Sequence, residues 1–179
     1  WAFLGARAVP GIEHVDAAGT YHRSLSLPHG TGQVALSAHA DGVIAELRLD
    51  AVADLAAAVQ RCRRLLDLDA DPIAVGEVLG GLGPAGGRVP GAVDGWELAA
   101  RAVVGQQVSL ASARRALARL AAAAGSPSQF PAAAAVAELD PATLPLPRRR
   151  AATLVALAAE VVEGRLALDP GADSDETRS

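Results

Sequence analysis

Apolar and polar positions alternate through the first part of the chain, and a helical repeat replaces the alternation later on. Between Ile12 and Leu49 the pattern is that of strands. Residues 20–27 alternate in part, and residues 33–37 and 43–49 alternate cleanly, with the two-residue period of a half-buried strand. Pro28-His29-Gly30 and Asp41-Gly42 supply turn chemistry between them, so an antiparallel meander is expected. Within residues 54–66, Leu55, Val59, Cys62, Leu65 and Leu66 recur at the spacing of an amphipathic helix that would cover one face of the sheet. A boundary is expected near residues 69–72.

Beyond Pro72 no strand pattern remains. Residues 79–91 are rich in Gly and Pro and read as a loop around a short helix. Asp94, with Glu97 three residues later, makes a capping box. It opens a helix through Trp96, Ala99, Ala100, Val103 and Val104 that stops at Gly105, with Trp96 on its apolar face. A second helix starts near Ser109, carries Leu110, Ala113, Leu117, Leu120 and Ala121 on one stripe, and ends at Gly125. Residues 131–139 read as a third helix, with Pro131 in its first turn. Residues 148–163 read as a fourth, with Leu154, Leu157, Val161 and Val162 turned inward. The pattern predicts an α+β protein in three stretches: an antiparallel sheet with its helix over 1–69, a helical part over 70–168, and an acidic, frayed tail over 169–179.

Composition narrows the class. At 179 residues and 51% hydrophobic content the chain can bury a core. A net charge of -4 speaks against a nucleic-acid partner on average. The distribution tells a different story: residues 70–150 carry 8 Arg against 6 acids, while 1–69 carry 6 against 8 and 151–179 carry 2 against 6. Only the middle leans basic.

Cys62 has no second cysteine to pair with and reads as a small buried thiol. His14, His22, His29 and His39 share no spacing, so neither a metal site nor a nucleophilic triad is expected. The glycines around Leu82 lack the Lys and the preceding strand of a phosphate loop, and Asp173-Ser174-Asp175-Glu176 matches no cation loop. No apolar stretch reaches transmembrane length without a charge, Gly or Pro, and residues 1–9 lack a signal-peptide layout. These features lead us to expect a cytosolic protein with no membrane partner and no cofactor.

The most distinctive stretch is Arg88-Val89-Pro90-Gly91-Ala92-Val93-Asp94-Gly95-Trp96-Glu97, followed by Arg101-Ala102-Val103-Val104-Gly105-Gln106-Gln107-Val108-Ser109. It sets two amides in a short turn between two helices, where a loop cannot bury them without partners. The pattern R-x-P-G-x-x-D-x-W-E, then R-A-x-x-G-Q-Q-V-S, resembles the DNA-3-methyladenine glycosylase II family, the AlkA type within the helix-hairpin-helix DNA glycosylases. Phe3 to Gly11, the Tyr21-His22-Arg23-Ser24-Leu25 strand, Leu65 to Pro72 and Leu146 to Ala151 fall in the family's order, so the resemblance covers nearly the whole chain.

That resemblance implies an N-terminal α+β domain similar to half of TATA-binding protein, followed by the first helices of a glycosylase domain. It also implies that the chain starts after the family's first strand and most of a helix, and stops before the helix-hairpin-helix and its catalytic Asp. The partner it implies is double-stranded DNA with alkylated bases, in the bacterial cytosol at the nucleoid. The enzyme is expected to be a monomer when complete, with the missing segment supplied by the rest of the chain or by fusion.

Such an enzyme extrudes the damaged nucleotide and fills the gap with a side chain. By resemblance Gln107 takes the wedge position, where an amide can hydrogen-bond the orphaned base, and Gln106 lies beside the flipped base. Phe3 matches an aromatic at the pocket edge; as a residue it reads equally as helix core. Ser109, Arg148 and Arg149 are candidate phosphate contacts, although Arg at a helix start opposes the dipole. No residue is assigned a catalytic role, and the chain alone is expected to be inactive. Two other readings stay open: a non-catalytic DNA-binding or regulatory module with the same fold, and a helical interaction protein without DNA affinity.

Overall fold

The computed structural model describes residues 1–80, 82 and 86–168; the expected acidic tail lies outside the described residues. Four strands, β1 (Glu13–Val15), β2 (Tyr21–Leu27), β3 (Gly30–His39) and β4 (Gly42–Leu49), pair in chain order as an antiparallel meander. A helix α1 (Ala2–Arg7) precedes the sheet and α2 (Leu55–Leu65) follows it. Next come α3 (Pro72–Leu79), α4 (Gly95–Gly105), α5 (Leu110–Ala123), α6 (Ala133–Ala137) and α7 (Arg148–Val162). The fold is α+β, as the patterning predicts.

The strand period sorts residues as expected. Val34 and Leu36 of β3 turn inward opposite Arg23 and Tyr21 of β2, and all four are buried. Tyr21, Val34 and Leu36, with Leu25, Leu4 and the α2 residues Ala58, Cys62 and Leu65, form one core. Burial pushes the Cys62 thiol up from its ordinary value, the state of an inert packed thiol. Leu55 and Val59, expected on the buried stripe of α2, are instead exposed. Ala58 sits at the centre of the contact in their place, because a small residue lets a helix lie close to the sheet. The two larger residues flank it.

The second core is helical. Val104 of α4, Leu117 and Leu120 of α5, Val136 of α6, and Leu154 and Ala158 of α7 interdigitate, with Phe130 closing one side. Val9 and Ile12, which lie between α1 and β1, belong to this cluster as well. The chain therefore contributes to the helical core before it enters the sheet. Trp96 is half-buried against the same cluster, and its indole N–H donates to the Pro131 carbonyl at 2.8 Å, which satisfies the polar edge of the ring.

Val162 of α7 and Leu110 of α5, expected on the inward faces of their helices, are exposed, and two elements differ from the sequence reading. The three-residue β1 is too short to show a period. Helix α3 begins ahead of the expected loop. Its start signal is present, since Asp71 caps Ile73 and Ala74 and Pro72 occupies the first turn. The helix buries no residue, so it has no apolar stripe to find. Among the described residues no helix is long and apolar enough to cross a membrane.

Candidate functional site

Helix α4 starts in the interior and ends at the surface. The carboxylate of Asp94 accepts from the Glu97 amide at 2.7 Å, which is one half of the expected capping box. The other half is absent, because the Glu97 side chain points across to the sheet. Arg23 of β2 donates to it through both terminal nitrogens, at 3.3 and 2.7 Å, and Arg101 donates through Nε at 2.9 Å. Arg101 also reaches Glu13 of β1 at 2.8 Å, and Arg23 reaches Glu13 at 3.3 Å. The Tyr21 hydroxyl donates to Glu13 at 2.6 Å, and the Val9 amide donates at 2.8 Å.

Two carboxylates and two guanidinium groups thus form a neutral, hydrogen-bonded square at the seam between sheet and helices. Arg23 is only 3% exposed and Glu97 2%. Burial alone would raise the Glu97 pKa, but the charges of Arg23 and Arg101 outweigh it and hold the carboxyl below its usual range. Desolvation likewise opposes the Arg23 charge, and the carboxylates of Glu97 and Glu13 more than restore it, so its pKa lies above normal. For the Tyr21 phenol, burial dominates and pushes the pKa well above its ordinary value.

The other end of α4 holds the amide pair. Gln106 and Gln107 are exposed, and Gln107 adopts a left-handed backbone at φ 55°, uncommon for a residue with a side chain. Such a conformation costs roughly 1–3 kcal/mol and persists where surrounding structure enforces it. The one hydrogen bond that reaches this turn from outside α4 and α5, among the described residues, comes from α7: Arg150 donates to the Gln106 carbonyl at 2.6 Å.

A cleft of about 550 Å³ opens between α1, α4 and the start of α5. Phe3 and Arg7 form one wall, and Leu98, Val108 and Leu110 form much of the other. Phe3 is 44% exposed, so it is a cleft residue and not helix core. The Arg7 guanidinium lies 3.6 Å over its ring, within cation–π range. Gly105 and Val108 line the cleft on either side of the amide pair, and neither amide is among its lining residues. The cleft's carboxylates are Glu13 and Glu97, and both are spent on ion pairs with Arg23 and Arg101. The cleft therefore joins one exposed aromatic ring and several aliphatic side chains to arginines, a lining suited to a flat group, and among the described residues no carboxylate lining it is unpaired.

The other expected residues fall as follows. The Ser109 hydroxyl caps α5, accepting from the Ser112 amide at 3.3 Å. Arg148 and Arg149 are exposed on the first turn of α7, and the half-buried Arg150 is the member of the run that turns toward the amides.

The model of the AlkA N-terminal domain matches residues 1–94, more than half of the chain. The chain belongs to the AlkA family. It is 44% identical over 192 residues to the probable bifunctional transcriptional activator/DNA repair enzyme AlkA of two Mycobacterium tuberculosis strains, covering 98% of this chain and 38% of those proteins. It is 35% identical over 190 residues to DNA-3-methyladenine glycosylase 2 of Escherichia coli K12, covering 97% of this chain and 66% of that one. The chain thus spans well under half the length of the M. tuberculosis relatives. Among solved structures it is similar to a 3-methyladenine DNA-glycosylase from Archaeoglobus fulgidus, with TM-score 0.64, 20% identity, and coverage of 84% of this chain and 58% of that one. It is similar also to MBOgg1 in complex with a low-affinity DNA ligand, with TM-score 0.64, 18% identity, and coverage of 90% and 60%. At these identities the likeness is one of fold.

The AlkA-type motif divides sharply by role. Arg88 fastens the loop before α4 to the carbonyls of Asp67 and Ala70. The Gly91 amide donates to the Leu65 carbonyl at 3.0 Å, and a Cβ there would lie 2.6 Å from the Arg64 carbonyl oxygen, a contact only glycine avoids. Asp94, Trp96, Glu97 and Arg101 lock α4 against its neighbours. Structure accounts for every polar residue of the AlkA-type motif up to Arg101, and the amide pair is what remains.

Proposed function

We propose that this chain is the duplex-opening part of an alkylbase DNA glycosylase, active in base-excision repair of DNA carrying lesions such as 3-methyladenine. In this reading Gln107 enters the base stack as the wedge and bonds the orphaned base, and Gln106 flanks the extruded base. Phe3 gives the base a stacking surface, which suits a cationic alkylated purine. Arg148 and Arg149 touch phosphates, and Ser109 contributes through its exposed helix start. The sheet unit, residues 1–69, holds the helical unit, 70–168, in place. The complete protein acts in the cytosol as a monomer.

The observation that carries this reading is the exposed amide pair set in a strained turn beside an aromatic cleft. Two further features support a chain that binds without cutting: neither carboxylate of the cleft is unpaired, and no described residue is placed to activate water. Incubation of this polypeptide with methylated or etheno-adenine duplex DNA should release no base; free base in the supernatant would contradict the proposal.

The same observation leaves room for a second reading, a DNA-binding or regulatory module. The M. tuberculosis relatives carry a transcriptional activator in their names, which suits that reading. A continuing reading frame with a hairpin and an Asp favours the glycosylase. Duplex binding that weakens steeply with salt is common to both readings, and its absence would leave only a protein-interaction role.

A further inference from the structure

The three consecutive arginines that open α7 sit at the positive end of a helix dipole, a position that costs them stability. Arg150 has a local compensation. Its guanidinium lies at the carboxyl end of α4, where the last carbonyls lack intrahelical partners and the dipole is negative, and it donates to the Gln106 oxygen at 2.6 Å. The next residue is Gln107 with φ 55°. The other left-handed residue with a side chain among the described residues, Asp67, is tied twice from the loop before α4: its carboxylate accepts from the Val89 amide at 2.9 Å and its carbonyl accepts from Arg88. The turn at Gln107 has a single such tie among the described residues, and it falls on the preceding carbonyl.

We propose that Arg150 is a positioning residue for the amide turn. By pinning the Gln106 carbonyl, it selects the left-handed conformation of Gln107 and fixes the direction in which that amide leaves the surface. Arg148 and Arg149, one turn-face away and exposed, remain available to phosphates. This hydrogen bond thus prepares the wedge before DNA arrives, which lowers the ordering cost at the moment of insertion. This inference rests on the wedge reading of Gln107.

The test uses the full-length protein and a duplex containing 2-aminopurine paired with thymine, whose fluorescence rises when the base leaves the stack. Arg150→Ala should cut the fluorescence amplitude by about tenfold, while Arg150→Lys, which can still reach the carbonyl, should recover at least half of it. The slope of duplex affinity against salt should stay unchanged in Arg150→Ala. In a Gln107→Asn background, where the residue tolerates the left-handed region and keeps an amide, the loss on removing Arg150 should shrink to about twofold.

An amplitude within about twofold of the parent in Arg150→Ala, or a salt slope reduced by about one, overturns the proposal; the second result makes Arg150 a phosphate contact. If Arg150→Ala proves too unstable to assay, Arg150→Met, which keeps the apolar stem and loses the donors, takes its place and is read by the same thresholds. Failure of Gln107→Ala to change the amplitude would sink the wedge reading itself. A normal loss in Gln107→Ala with none in Arg150→Ala would sink only this inference.

Discussion

The two ends of α4 obey opposite rules. At Glu97 a charged side chain is buried, paired twice and shielded from water, and at Gln107 a neutral side chain is exposed and held only through its neighbour's carbonyl. One end spends its polar groups on the fold, whereas the other leaves its side-chain amides exposed. The contrast teaches where to look for function inside a distinctive motif. The densest chemistry, two Glu and two Arg within hydrogen-bond distance, is a fastening, and the sparse pair of amides is the proposed working surface.

The largest effect should come from the buried end. Arg23→Leu strands the carboxylates of Glu13 and Glu97 away from water, and a broken buried pair costs about 3–5 kcal/mol. Thermal or urea unfolding should show that loss; a change below about 1 kcal/mol would mean the square does not anchor α4.

Next in size is a pH effect. In the folded chain Glu97 gives up its proton more readily than in the unfolded chain, so its contribution is complete above the ordinary carboxylate range. It is lost as pH falls below about 4.3 and on through the lower folded value. Glu97→Gln should be less stable at neutral pH and should show a flatter acid limb in a stability-versus-pH curve. An acid limb identical to the parent's would remove Glu97 from the account.

The exposed end should behave in the opposite way. Replacing both Gln106 and Gln107 with Ala should move stability by less than about 0.5 kcal/mol, as surface changes do. Smallest of all, Gln107→Gly should stabilise by a few tenths of a kcal/mol, because φ 55° suits glycine. Destabilisation by that substitution would show that the Gln107 side chain has a structural partner after all.

The same contrast explains what the sequence could reveal. The meander was legible because strand alternation is local, and the Asp94 cap was legible because its partner amide is three residues away. Glu97 shows how a local rule stops short. Its spacing satisfies a capping box, yet its carboxylate goes to Arg23, 74 residues distant, and no local pattern encodes that pairing. The choice of Arg150 from a run of three depended equally on where α7 comes to lie. Gln106 and Gln107 were found by resemblance and by their setting between two capped helices. Phe3, ambiguous as a letter, was resolved only by the cleft it lines. Helix α3 was missed even though Asp71-Pro72 announces it, since a helix that buries nothing offers no period.

One measurement bears most directly on the claim that the amide pair exists to open DNA. In the full-length protein, Gln106 and Gln107 should be changed together to Ala, and lesion excision, duplex affinity and thermal stability followed in parallel. The account predicts an unchanged melting curve with excision reduced by about tenfold or more. Excision and duplex affinity equal to the parent's, at equal stability, would contradict it.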